Sequence, residues 1–249
     1  MRIRAALCLL ILSAYFFFNV ALANPMPEKY SQQAEQLIAQ TKIKQPALAI
    51  LAKQFNAFDA QWQELLRQQL IIRTHKNSEQ LSNAIGLSLA LQYAASYYQY
   101  TDNTSLDYFL QVQRRLFLQA QTDPRLCGIL MNTASSRVDQ QGMQPWLLEK
   151  NYRSHAAGIQ KAMNLLIQSE QSPWPRTLPD NQRESFMRRT INQMANIYGA
   201  DSIKNFEQMN NENSSPTNRC LALHQLYETI NAQPLELRAQ LLRSFFGDE

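Results

Sequence analysis

Two cysteines and three histidines are the residues of this chain whose types and spacing could support chemistry. Cys127 and Cys220 remain once the N-terminal segment carrying Cys8 is set aside. In an oxidising compartment such a pair is expected to form a disulfide. The closed loop of about 93 residues corresponds to roughly 4 to 5 kcal/mol of chain-entropy stabilisation. His224 follows Cys220 by one helical turn, so the competing reading is a metal site with Cys127 as a third ligand. The sequence offers no fourth ligand, and the expectation is a disulfide with no metal and no cofactor. His155 stands one turn before Ile159 beside the inward face of a long helix. Its expected state is partly buried and hydrogen-bonded, and it is kept as a candidate contact residue. His75 completes the set. The nucleophile-elbow, phosphate-loop, zinc-protease and dinucleotide-binding patterns are absent, so no catalytic residue is assigned.

Aromatic residues supply the other candidates. Tyr93, Tyr97 and Tyr100 are expected to share a helix face, forming either interhelical core or an aromatic groove for a ligand or peptide. Trp174 lies between Pro173 and Pro175, which no helix interior accommodates, so it either tucks onto the bundle or is offered to a partner. The pairs Arg114-Arg115 and Arg188-Arg189 read as solvated helix faces. Glu184-Ser185-Phe186 and Gly142-Met143-Gln144 resemble segments of lytic transglycosylases, which place a catalytic Glu before a Gly-x-Met-Gln stretch. Here the order is reversed, and that activity is not carried over.

The elements that must position these residues are preceded by a leader. Arg2 and Arg4 precede an apolar run from Ala5 to Phe18, and Ala21-Leu22-Ala23 satisfies the small-x-small cleavage pattern, so residues 1–23 read as a cleavable signal peptide. The expected location is periplasmic or secreted. Without Arg2 and Arg4, 22 basic residues face 20 acidic ones. A near-neutral chain with scattered cations gives no footprint for nucleic acid.

Composition predicts an all-α fold, a bundle of about eight to ten helices with essentially no sheet. Glycine is scarce, with six residues in the whole chain, and period-two β-branched runs are missing. Residues 24–249 are read as one helical domain with a Pro-rich loop near 171–180. The uncharged run between Glu79 and Asp102 is long enough to cross a bilayer, yet Ser82, Asn83, Ser88, Gln92 and Ser96 identify it as a buried central helix instead, and no stable transmembrane insertion is expected after cleavage. Gly86, Ala90 and Ala94 give that helix a small-residue stripe for close packing.

These observations predict an exported protein that acts by binding, as an envelope adaptor, chaperone or inhibitor, with another envelope protein as partner. The alternatives are an envelope hydrolase with an unrecognised site and a carrier of an apolar small molecule lined by the tyrosines, Met163 and Met194.

Overall fold

Proline and aspartate set where most helices of this chain begin. The computed structural model describes residues 28–72, 77–134, 146–168, 176, 178–209 and 214–247. The leader, His75, Gly142-Met143-Gln144 and Trp174 lie outside the described residues. Within them every regular element is helical: α1 (Glu28–Lys44), α2 (Pro46–Gln54), α3 (Asn56–Ile72), α4 (Ser78–Tyr93), α5 (Asn103–Thr122), α6 (Pro124–Ala134), α7 (Arg153–Gln168), α8 (Asp180–Tyr198), α9 (Ala200–Glu207), α10 (Pro216–Asn231) and α11 (Leu235–Phe246). Two 3₁₀ turns, Ala94–Tyr97 and Trp146–Leu148, lead out of α4 and towards α7.

Among the described residues there are eleven α-helices, slightly more than the eight to ten expected, several separated by breaks of a single residue. Pro46 and Pro216 occupy the first turns of α2 and α10, where a missing N–H costs nothing. Phe55 turns extended between α2 and α3. Gly199 adopts φ +86 between α8 and α9, in the region that disfavours side chains, and its N–H closes α8 on the Ala195 carbonyl at 2.8 Å. Asp102 caps α5 by accepting from Ser105 N at 2.9 Å, and Asp123 caps α6 by accepting from Arg125 N and Leu126 N, each at 3.1 Å. Asn77 precedes α4 but makes no such side-chain bond.

One apolar core runs through these helices. In α4, residues 84–90 are all buried, and no described helix is long and apolar enough to cross a membrane. Helix α4 runs antiparallel to α3, since Phe58 meets Tyr93 edge-on at 5.3 Å and the Trp62 indole donates to the Ser82 carbonyl at 3.0 Å. Trp62 passes directly over Gly86. Helix α5 joins the N-terminal group to the rest. Thr101, Val112 and Gln119 meet Leu166, Gly158 and His155 of α7 in turn, which makes α5 and α7 antiparallel. On another side it packs on α6, α10 and α11.

The C-terminal helix is tied to α5 by a cation in the interior. Arg243 is 2% exposed. Its guanidinium donates to the carbonyls of Tyr98 at 3.0 Å and Thr101 at 2.7 Å, and to Asn103 Oδ1 at 2.7 Å. Burial lowers its pKa to about 10, against the weaker pull of Glu236 and Asp102, so it stays charged at neutral pH.

A Cβ on Gly86 would lie 2.7 Å from Trp62 Cζ2 and 2.8 Å from Leu48 Cδ1, inside any normal contact. Gly86→Ala is therefore expected to lower the unfolding free energy by about 1 to 3 kcal/mol through overpacking. Urea unfolding followed by tryptophan fluorescence measures this, and an unchanged midpoint would refute the close approach.

Candidate functional site

The structure keeps Tyr93 and Tyr97 on one contact and sets Tyr100 apart from them. Tyr93 packs between Phe55, at 4.9 Å between ring centroids, and Phe58. Tyr97 is buried and donates to Gln54 Oε1, and desolvation raises its phenol to about 12. Both belong to the contact of α4 with α2 and α3. The α-helical register that would align Tyr100 with them ends at Tyr93, where the chain tightens to 3₁₀. Tyr100 sits half-buried in the following turn, with its N–H on the Tyr97 carbonyl at 3.1 Å.

Cys127 and Cys220 lie at disulfide distance, with Cα atoms 5.9 Å apart, joining α6 to α10. Both are fully buried. No group of three His, Cys, Asp or Glu able to hold a metal occurs among the described residues. Glu184 is exposed and accepts from Arg188 at 3.1 Å. Met163 and Met194 are fully buried in the core.

His155 occupies the boundary of α7 with α5, its Nε2 against Gln119 Oε1. Desolvation, then the nearby Arg115 charge, lowers its pKa. Below it, Tyr152 donates to Asp123 Oδ2, so the aspartate that caps α6 also fixes the turn before α7. That hydrogen bond is the main reason Asp123 is acidified.

The most extended polar arrangement lies on α5. Asn103, Asp107, Gln111 and Arg114 recur every three or four residues and so form one stripe. Arg114 is bidentate to Glu228 of α10, at 2.7 and 2.9 Å from its Nη2, and donates to Gln111 Oε1 at 2.6 Å. Gln111 donates to Asn231 Oδ1 at 2.8 Å. Asp107 pairs with Arg238 of α11 at 2.7 Å, and Asn103 donates to Glu236 at 2.5 Å. Arg114 is thus a partly buried member of an ion pair, not the solvated cation expected from its doublet.

At one end of this seam a strip of surface is formed by α5, α8 and α10. Tyr198 closes α8 near the Arg114–Glu228 pair, and its pKa is raised by desolvation, then by Glu228, with Arg114 opposing. His224, one turn before Glu228, has its pKa lowered by desolvation, with Glu228 opposing and Arg114 reinforcing. Its buried Nδ1 has no hydrogen-bond partner among the described residues. Leu118 lies one turn beyond Arg114. Leu118, Ile197 and Tyr198 are 57%, 53% and 38% exposed. Leu118, one turn from Arg114, and Tyr198, close enough to feel both charges of the pair, are thus left in water near an ion pair that is already satisfied. The strip can bind through apolar contact and hydrogen bonding. Sequence reading missed these residues, although Leu118 gave a signal as an apolar side chain on the polar side of an amphipathic helix.

Two measurements follow from this geometry. Both histidines have folded-state pKa values below that of the unfolded chain, so the unfolded state binds more protons as pH falls below about 6.5, and stability declines with it. The thermal midpoint should fall between pH 7.5 and 5.5, and the double variant His155→Gln/His224→Gln should flatten that slope; equal slopes would refute the assignment. Thiol counting in denaturant should find Cys127 and Cys220 absent from the free pool of protein recovered from an oxidising compartment. Cys127→Ala/Cys220→Ala should then lose up to roughly 4 to 5 kcal/mol in urea unfolding. Set against protein-family models, curated proteins and solved structures, the chain matches none of them.

Proposed function

We propose that this chain is an exported helical protein, periplasmic or secreted after loss of residues 1–23, that acts by binding another envelope protein through one face. The observation that carries the reading is the exposure of Leu118, Ile197 and Tyr198 beside the Arg114–Glu228 pair. Exposing large apolar groups forgoes burial worth about 25 cal/mol per Å², and when such groups gather on rigid helices they provide the anchors on which interfaces are built. The bidentate pair beneath fixes α5 and α10 together, so little ordering is required when a partner docks. The buried cysteine pair fits an oxidising compartment. Tyr93 and Tyr97 make their contacts with Phe55, Phe58 and Gln54, and the contact surface proposed here lies on α5, α8 and α10.

A photocrosslinking residue placed at position 118 or 198 should give a discrete protein adduct in the native cell. The same residue at Ile43, which is 81% exposed at the end of α1, should give none. Leu118→Asp should abolish the adduct formed at 198 while the circular dichroism spectrum stays helical. Equal labelling from all three positions, or none from any, would overturn the proposal.

A further inference from the structure

We infer that the outer face formed by α7 and the adjoining edge of α5 is a docking surface for an acidic, helical segment of a protein partner. This inference rests on the reading that the protein acts by binding, and adds the chemistry of what is bound.

The charge of the chain is unevenly distributed. Residues 108–169 hold seven basic side chains against three acidic ones, whereas the rest of the chain from residue 24 holds 15 against 17. Helix α7 contains no Asp or Glu. Its first residue, Arg153, and Lys161 two turns later are both exposed on the same side, with exposed Ser154 and Ala157 between them. The register against α5 then brings in Arg115. Val112 lies against Gly158 and Gln119 against His155, so Arg115, between them on α5, borders the same surface, close enough for its charge to depress the His155 pKa. Exposed Lys150 stands in the turn leading to α7.

None of these four cations pairs with a carboxylate among the described residues. Arg115 donates to the Gln111 carbonyl at 3.2 Å, Arg153 donates to the Leu148 carbonyl at 2.8 Å, and Lys161 lies 4.7 Å from the centre of the Tyr108 ring. The contrast with neighbouring cations is direct: Arg114 has Glu228, Arg125 has Glu149, Arg188 has Glu184 and Arg238 has Asp107. Among the described residues the acids nearest in sequence are also committed, Asp107 to Arg238, Asp123 to capping α6 and accepting from Tyr152, and Glu149 to Arg125.

The shape of the face selects among anions. Arg153 and Lys161 are separated by eight residues, about 12 Å along the axis, with small side chains at 154, 157 and 158 forming the surface between them. A partner helix can approach closely over such a floor, and carboxylates spaced one turn apart along it would meet Arg153, Arg115 and Lys161 in succession. A lipid surface would call for large apolar groups at the centre of the face, and Ala157 stands there instead.

The test places the photocrosslinker at Ala157 and sequences the linked peptide by mass spectrometry. The expected adduct is a protein segment with at least three Asp or Glu at helical spacing on one side. The triple variant Arg115→Glu/Arg153→Glu/Lys161→Glu should reduce adduct yield at least tenfold, whereas Lys53→Glu on α2 should leave it unchanged. A neutral or basic segment, a lipid or a nucleic acid at Ala157 would overturn the inference. Adducts from positions 118 and 198 with none from Ala157 would overturn it while leaving the binding function standing, and silence at all three would remove both.

Discussion

The structure depends on the polar seam along α5. A helix packed by neighbours on several sides must have a complementary surface towards each, and α5 supplies apolar groups to the core, Val112 and the Gln119 amide to α7, and the row Asn103, Asp107, Gln111, Arg114 to α10 and α11. Apolar packing alone tolerates sliding by a helical turn. Alternating acid, amide and base does not, since shifting α10 by one turn would leave Glu228 without Arg114 and Asn231 without Gln111. Each charge in the row is paired and only partly desolvated, so the seam avoids the large penalty of a fully buried pair. It thereby fixes the register of the C-terminal helices on α5, and with it the position of α6 through the Cys127 and Cys220 contact.

Arg243 ends that seam in a different way. A cation in the interior normally has a carboxylate beside it, yet this one is held by two backbone carbonyls and one amide oxygen. Guanidinium suits the place because its charge is delocalised, and its planar fork can satisfy several fixed acceptors at once. The carbonyls belong to Tyr98 and Thr101, in the connection where α4 has given way to a 3₁₀ turn, so the side chain fixes the point at which the N-terminal helices join α5. Thr101 receives a second constraint from its own hydroxyl, which donates to the Leu166 carbonyl of α7 at 3.0 Å. Helices α4, α5, α7 and α11 therefore meet at one short segment of backbone.

The all-helical class and most helix starts were legible because their causes are local: Pro46 and Pro216 in first turns, Asp123 ahead of α6, and the scarcity of glycine. The buried stripe of Gly86, Ala90 and Ala94 was legible for the same reason. What escaped was set by the neighbours of each helix. The long helix that carries His155 begins only at Arg153, because a 3₁₀ turn from Trp146 and a turn ending at Tyr152 precede it. A shared face for Tyr93, Tyr97 and Tyr100 presumes an unbroken α-helix, and the chain tightens to 3₁₀ after Tyr93. Arg114 and Arg115 look alike in sequence, and they differ because 100° of helical rotation turns one towards Glu228 and the other towards α7.

That rotation also relates the two surfaces proposed for binding. Arg115 and Leu118 are three residues apart on α5, so their side chains lie about 60° apart around the axis and less than one turn apart along it. The cationic face and the apolar strip are consequently neighbours on one helix, Leu118 continuing the seam one turn beyond Arg114 and Arg115 bordering it towards α7. A partner helix lying over α7 could place carboxylates against Arg153, Arg115 and Lys161 while an adjacent element of the same partner reached Leu118. Apolar contact would contribute most of the affinity and the unpaired cations would set orientation and association rate. The two contributions would separate with ionic strength, because salt screens the exposed cations and leaves the contact at Leu118 and Tyr198 largely unchanged.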